Sequence, residues 1–244
     1  MRLTRIYVTE ALSPDTEQLL PRGAADHLLR VLRLRPGAEL TLFDGRGGEY
    51  AARLVGAERG AARVEVGAHL PIERESPLAV TLLQGLVRGE RMDLIVQKAT
   101  ELGAQSIVPL LTERSVVRLD AAQIQKRLAH WQAIAISACE QCGRNRLPQI
   151  GPLAELSRVG ELALSGARLL LEPQGRQTLP GALAGHTEAA LLIGPEGGLS
   201  DAEVEAAQDA DFLPCRLGPR VLRTETAPLA ALAALQLLAG DLGR

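Results

Sequence analysis

The sequence predicts an α/β protein in which a small, mostly β module precedes a larger domain of alternating strands and helices. Three observations carry that prediction. From Ala38 to Ala68 the apolar residues recur at every second position, the period of half-buried strands. After Pro77 short apolar runs alternate with amphipathic stretches, which implies a mostly parallel sheet with helices on both faces. Two Gly-Pro loops, at Gly194-Pro195 and Gly218-Pro219, each follow a strand-like apolar run and open a helix-like segment.

In chain order, Arg5-Ile6-Tyr7-Val8 reads as a first strand. Residues 22–34 have helical period, with Leu28, Leu29, Val31 and Leu32 on one side and Arg30 and Arg33 towards the other, until Pro36-Gly37 ends the helix. Residues 39–43, 49–55 and 61–68 read as three short strands, and Asp44-Gly45-Arg46-Gly47-Gly48 is a hairpin turn between the first two. The polar stretch Ile72-Glu73-Arg74-Glu75-Ser76-Pro77 is the best linker candidate, which separates residues 1–72 from 77–244. A strand follows at 78–83, then an amphipathic helix at 90–102 stopped by Gly103. The next strand is 106–111, and a long helix at 121–141 carries Ile124, Leu128, Trp131, Ile134 and Ala135 at helical spacing. Residues 168–171 and 189–193 are short buried strands. Ser200-Asp201-Ala202-Glu203 is a capping box, so a helix runs from there to about Ala210. Residues 212–217 form a strand, and the closing helix begins at Thr224.

Composition narrows the class. The 244 residues suit one large domain or two small ones, and a hydrophobic content of 46% is ample for a core. A net charge of −2 announces no global basic field, although local patches on a near-neutral protein still bind RNA. The basic residues are almost all arginine, which holds phosphates bidentately and stacks on bases; GC-rich codon usage produces the same bias. Cys139, Cys142 and Cys215 are too few for a disulfide framework and fit a reducing cytosol. The start, Met1-Arg2-Leu3-Thr4-Arg5, leads into no apolar core of a signal peptide. The longest apolar run, residues 227–239, is shorter than the ~20 residues a bilayer requires, so it reads as a buried helix and no membrane partner is expected.

In open α/β sheets, ligands sit in the crevice beyond the carboxyl ends of the strands, so the two Gly-Pro loops propose a single pocket. Glycine admits close approach of the backbone to a ligand, and proline stiffens the loop beforehand. Neither loop fits G-x-G-x-x-G or carries G-K-[ST], and two tight turns that cap two helices would produce the same spacing. Between an apolar strand and an apolar helix lie Arg220, Arg223, Thr224 and Glu225. Thr224 and Glu225 suit an N-cap and a dipole partner, but two arginines are unfavourable at a helix N-terminus, a conflict expected at a site. In the N-terminal module Arg5, Tyr7, His27, Arg30, Arg33, Arg35 and Arg46 make a candidate basic, partly aromatic RNA surface. Asp26, Glu39, Asp44 and Glu49 are interleaved with them, as on a solvated charged face. Cys139-Glu140-Gln141-Cys142 has C-x-x-C spacing, but it ends a helix rather than starting one and has a single distant cysteine to complete a site, which argues against zinc or redox use. Its neighbours Glu140, Gln141, Arg144 and Asn145 are of more interest as polar groups at a helix end. The four histidines are scattered, without H-E-x-x-H or a visible triad, so no metal is expected and hydrolytic chemistry is disfavoured.

Gly194-Pro195-Glu196-Gly197-Gly198-Leu199-Ser200 followed by Leu217-Gly218-Pro219-Arg220-Val221-Leu222-Arg223-Thr224-Glu225-Thr226 resembles the C-terminal signature of the RsmE family, SPOUT-class methyltransferases of bacterial 16S ribosomal RNA. Further matches run along the chain, among them Arg5-Ile6-Tyr7, His27-Leu28-Leu29-Arg30-Val31-Leu32-Arg33, Gln97-Lys98-Ala99-Thr100-Glu101-Leu102-Gly103 and Ala138-Cys139-Glu140-Gln141-Cys142-Gly143-Arg144-Asn145. The resemblance implies a PUA-like β-barrel that helps hold RNA over residues 1–72, and a SPOUT-like α/β domain with a deep trefoil knot over 77–244. It implies S-adenosylmethionine held largely by backbone groups of the two C-terminal loops and of the loop after residue 171. The corresponding positions are Leu171, Glu172, Ile193, Gly194, Pro195, Glu196, Gly197, Leu217, Gly218, Val221, Leu222 and Thr226. It implies a cytoplasmic homodimer whose active site is completed across the interface, acting on 16S rRNA within the small subunit to give N3-methyluridine at one decoding-site position. The chain has Glu172-Pro173-Gln174 where some members carry His-Pro-Arg, which weakens any assignment of a catalytic role to position 172.

Loss of the uracil N3 proton builds negative charge on O2 and O4, and an arginine beside them would stabilise it. Arg223 is expected in that role, with Glu225, Glu196 and Glu140, or else bulk water or hydroxide, as candidate bases, and Arg5, Tyr7, Arg30, Arg33, Arg144 and Arg220 on RNA. The alternatives are a SPOUT methyltransferase of another RNA or atom, an RNA-binding homologue without catalysis, and a nucleotide-dependent enzyme with an ordinary doubly wound sheet. The missing G-x-G-x-x-G speaks against the last.

Overall fold

A computed structural model describes residues 4–58, 60–115 and 120–243. The chain divides into two compact units, Met1–Glu75 with Cys139–Leu147, and Ser76–Ala138 with Pro148–Arg244.

The first unit is built on β1 (Thr4–Tyr7), β2 (Thr16–Leu19), β3 (Glu39–Phe43), β4 (Glu49–Glu58) and β5 (Ala61–Leu70). They form one five-stranded sheet in the order β1-β3-β4-β5-β2. β1 runs parallel to β3 and the other ladders are antiparallel. Period-two alternation puts Leu40, Leu42, Leu54, Val64 and Val66 into one core with Ile6 and Leu28. The helix expected over 22–34 is shorter: α1 (Arg22–Asp26) passes into a single π turn, His27–Val31. The wider turn rotates Val31 out to 70% exposure, and Arg33 then takes φ 53°, which ends the segment. β2 was not anticipated because Thr16-Glu17-Gln18-Leu19 is a polar edge strand without apolar alternation.

Residues 139–147 are fastened into this unit by a buried polar network. Arg5 lies over the Phe43 ring, 5.0 Å from its centroid, and donates to the Glu49 carboxylate and to Asn145 Oδ1. Glu49 Oε2 also accepts from Arg74 at 3.0 Å and from Asn145 at 3.2 Å, and Arg74 reaches the Gly143 carbonyl at 2.9 Å. Arg144 pairs with Glu75 and Arg146 with Glu73. The expected linker is therefore pinned over Glu73, Arg74 and Glu75 rather than free. The same network corrects the expected RNA-facing placement of Arg5 and Arg144, whose side chains are only 6% and 5% exposed and are neutralised internally by carboxylates.

Burial by itself pushes the Glu49 carboxyl up, but hydrogen bonds from Arg5, Arg74 and Asn145 outweigh it and hold the group below its ordinary value of 4.5. A depressed carboxyl contributes stability that is present above the unfolded pKa and is lost as pH falls through the folded one. Arg5→Ala is expected to cost about 3 kcal/mol in urea unfolding at neutral pH, because it leaves a buried carboxylate short of its partner. It should also move the acid unfolding limb to higher pH; a wild-type limb would contradict this account of the network.

The second unit holds β6 (Ala79–Gly85), β7 (Ala104–Leu111), β8 (Gln149–Ile150), β9 (Ala154–Glu155), β10 (Ala167–Leu171), β11 (Gln177–Thr178), β12 (Glu188–Ile193) and β13 (Leu213–Arg216). The order is β11-β13-β10-β12-β6-β7-β8, with β9 also beside β7, and every ladder is parallel. Its helices are α2 (Arg91–Glu101), α3 (Ala121–Cys142, as far as Ala138), α4 (Leu179–Leu183), α5 (Asp201–Asp209) and α6 (Thr226–Ala239), with a 3₁₀ segment at Leu156–Glu161. Adjacent leucines serve opposite faces of the sheet. Leu82, Leu169 and Leu191 pack with Ile95 of α2, Trp131 of α3 and Leu235 of α6. Leu83, Leu170 and Leu192 pack with Val159, Ala207 of α5 and Phe212. The mostly parallel sheet covered on both faces is thus the one expected from the alternating pattern. Among the described residues no helix is long and apolar enough to cross a membrane.

Position in the sheet departs from chain order where it matters for the site. β13 enters between β10 and β11. Residues 172–176, which join those two strands, consequently pass across the end of β13. Glu172 N donates to the Cys215 carbonyl at 2.9 Å, and a Cβ at Gly175 would lie 2.6 Å from the Cys215 carbonyl carbon.

Candidate active site

The parallel register brings three strand ends together. Leu171 of β10 is opposite Ile193 of β12 on one side and Cys215 of β13 on the other. The loops leaving these ends enclose a cavity of about 590 Å³, walled on its apolar side by Leu171, Ile193, Leu199, Leu217, Val221 and Leu222. Its position at the carboxyl ends of parallel strands is the one that the topology favours.

Close packing fixes the first Gly-Pro loop. Gly85 ends β6 directly beneath it: a Cβ there would sit 2.7 Å from both Pro195 N and Pro195 Cδ. Gly198 turns the chain at φ +67° with its N–H on the Pro195 carbonyl at 2.9 Å. Ser200 then caps α5 as expected, accepting from Glu203 N at 3.2 Å, while the Glu203 carboxylate accepts from Ser200 N at 2.9 Å. The second loop turns at Gly218, φ +74°. Thr224 does not cap α6. Its hydroxyl donates to the Gly194 carbonyl at 2.9 Å and ties the two loops to each other. The start of α6 is met by the Arg223 carbonyl, which accepts from Thr226 N and Ala227 N. The loops are therefore walls of one cavity as well as helix entries.

Charge is distributed unevenly around that cavity. Arg91 donates to Glu196 Oε1 at 3.0 Å, and the Arg88 N–H reaches the same oxygen at 3.3 Å, so Glu196 is engaged by the entry to α2. Arg114, Arg220 and Arg223 are exposed at the lining and have no carboxylate partner among the described residues. Glu172 and Glu225 line the same space.

The cavity takes in both expected catalytic residues, Arg223 and Glu225, and also Arg220. It takes in all the expected cofactor positions except Gly197 and Thr226. Gly197 lies beside it, its carbonyl accepting from Arg114 at 3.0 Å, and Thr226 is the first residue of α6. Tyr7, Arg30 and Arg33 belong to the first unit with Arg5 and Arg144, and none of these five lines the cavity. Glu140 is also in the first unit, where it accepts from Tyr7 N at 3.0 Å; burial pushes its carboxyl above the ordinary range. Among the described residues no group of histidines, cysteines and carboxylates is placed to hold a metal ion. Sequence reasoning missed Gly85, Arg91 and Arg114, which stand at or just past the carboxyl ends of β6 and β7. The strand-end rule would have found them had it been applied to those two strands as well.

A parallel sheet covered on both faces, with a cavity at its strand ends, is the scaffold of an RNA methyltransferase here: residues 74–236 match the family described as RNA methyltransferase domain, and residues 20–67 match the RNA methyltransferase PUA domain. The chain belongs to the ribosomal RNA small subunit methyltransferase E family, RsmE. The Bacillus subtilis member is 33% identical over 239 residues, covering 88% of this chain and 89% of that protein. A Neisseria gonorrhoeae member solved with S-adenosyl methionine is 40% identical and superposes with a TM-score of 0.92, covering 99% of this chain and 100% of that one. A Legionella pneumophila structure, described as a methyltransferase in complex with the bound cofactor SAM, is 40% identical with a TM-score of 0.96 and the same coverage.

Proposed function

We propose that this chain methylates N3 of one decoding-site uridine in 16S ribosomal RNA, with S-adenosylmethionine as cofactor, as a cytoplasmic homodimer. The observation that carries the reading is the cavity at the ends of β10, β12 and β13, with an apolar wall and, on its lining, Arg220 and Arg223, which have no carboxylate partner among the described residues. The residues present fit the cofactor. Leu171, Ile193, Leu217 and Leu222 offer an apolar slot for adenine, the exposed turn at Gly218 has no side chain to cover its backbone, and Glu172 offers acceptors for hydroxyl or ammonium groups. When bound, S-adenosylmethionine supplies a methyl group made electrophilic by its sulfonium.

The remaining work falls to the chain. Arg223 hydrogen-bonds O2 or O4 of the uracil as N3 loses its proton, so the developing anion is met by a fixed positive charge. Glu225 is the base in this reading: it lies on the cavity lining, and Glu196 is engaged by Arg91. Arg220 holds a backbone phosphate and brings the flipped base into line, which is where positioning contributes rate. Arg30 and Arg33, exposed on the first unit, and Tyr7, half-buried at the end of β1, supply further RNA contacts. A knot is supported by the crossing of residues 172–176 over β13, where Gly175 lies against backbone. A homodimer is supported by apolar surface at the end of the chain, where Leu237, Leu238 and Leu242 are 62%, 48% and 53% exposed.

The experiment is transfer of labelled methyl from S-adenosylmethionine to small ribosomal subunits that lack the modification. Label recovered in 16S rRNA is the expected result. Cofactor bound with no label in any RNA would overturn the reading in favour of a binding protein.

A further inference from the structure

The cavity has a side that the C-terminal loops do not build. There Arg114 lines it, carried by the turn at residues 112–115 immediately after β7. This short turn is closed on itself: Ser115 N donates to the Thr112 carbonyl at 3.0 Å, Thr112 N to Ser115 Oγ at 3.2 Å, and the two hydroxyls share a hydrogen at 2.8 Å. Arg114 projects from it and spans to the first Gly-Pro loop. Its Nη1 donates to the Gly197 carbonyl at 3.0 Å, and its Cβ lies 3.1 Å from where a Cβ on Gly197 would be. That contact orients the guanidinium with one neutral acceptor, and its other donors have no partner among the described residues. Arg91, by contrast, is charge-paired with Glu196.

What holds the turn against the loop is Glu203. This side chain is a buried carboxylate, 4% exposed. The capping box uses only one of its oxygens, Oε2, on Ser200 N; the other accepts from Glu113 N at 2.8 Å. A cap alone would leave the second oxygen to water. Here one carboxylate joins the start of α5 to the residue preceding Arg114.

We infer that Arg114 is a phosphate-binding residue for the RNA at the mouth of this cavity, and that Glu203 is its positioning residue. The inference rests on the methyl-transfer reading above. An exposed guanidinium fixed by a single carbonyl presents a bidentate edge to a phosphate without desolvating a paired charge. Because Arg114 also touches Gly197, the group that grips the RNA is braced on the loop that forms the cofactor side of the cavity.

The test uses the full-length protein, S-adenosylmethionine and small subunits lacking the modification, with Arg114→Ala, Glu203→Gln and the double variant. Arg114→Ala is expected to raise KM for the RNA by about tenfold or more, the worth of a charge-assisted hydrogen bond. Its kcat and its S-adenosylmethionine Kd should stay within about twofold of wild type. The slope of log KM against log salt should fall by about one phosphate contact. Glu203→Gln keeps the cap but turns a donor towards Glu113 N, so it should show the same KM-against-kcat split. The double variant should then be no worse than Arg114→Ala, since both act through one contact. If the Arg114 variant keeps wild-type KM and salt slope while the wild type methylates RNA, the inference falls and the function stands. If the two effects add in full, or if Glu203→Gln lowers cofactor affinity instead, Glu203 is a structural cap and not a positioning residue. If the wild type itself transfers no methyl group, it is the functional reading that fails.

Discussion

Arg223→Ala is expected to lower kcat for methyl transfer by about 10²–10³-fold, the usual loss when one preorganised donor to a developing anion is removed. The residue lines the cavity between Leu222 and Thr224, and no carboxylate among the described residues neutralises it. Its carbonyl, not its side chain, meets the start of α6, so truncating the side chain leaves the helix entry in place. Affinity for S-adenosylmethionine should therefore change by no more than about threefold. Calorimetric titration of the cofactor beside single-turnover kinetics separates the two quantities. A parallel loss of cofactor binding would make Arg223 a wall of the cofactor pocket rather than a partner of the base.

Gly85→Ala should have the second-largest effect, and on the opposite quantity. A Cβ at this position would be 2.7 Å from Pro195 N and 3.0 Å from the Gly194 carbonyl carbon. Those neighbours are backbone, so no rotamer change relieves the clash, and overpacking of this kind costs about 1–3 kcal/mol. The strain falls on the loop that shapes the cofactor side of the cavity. S-adenosylmethionine Kd is expected to rise by roughly 10–100-fold, at about 1.4 kcal/mol per factor of ten. The thermal midpoint should drop as well. Wild-type affinity in this variant would show that the loop does not depend on its contact with β6.

The sequence was most legible where local chemistry decides structure. Ser200 and Glu203 form the capping box that their spacing announced, and the apolar runs of β10 and β12 became neighbouring parallel strands. The paired Gly-Pro loops enclose a single cavity. What stayed hidden depends on partners distant in the chain. Arg5 and Arg144 looked like surface cations because their compensating carboxylates, Glu49 and Glu75, are 44 and 69 residues away. Thr224 looked like a helix cap because its acceptor, the Gly194 carbonyl, lies 30 residues earlier. Arg114 gave no signal in its own neighbourhood, since the loop it touches lies 83 residues on. β11 and α4 were missed for another reason: Gln177-Thr178 and the segment Leu179–Leu183 are too short for either period to register.

The most direct test of the central claim is the identity of the product. Small-subunit RNA methylated by this protein would be digested to nucleosides and separated against authentic methyluridines. N3-methyluridine is expected as the single labelled nucleoside, confined to 16S rRNA and formed about 10²–10³-fold more slowly with Arg223→Ala. Label on a ribose oxygen, on another base or in another RNA would contradict it.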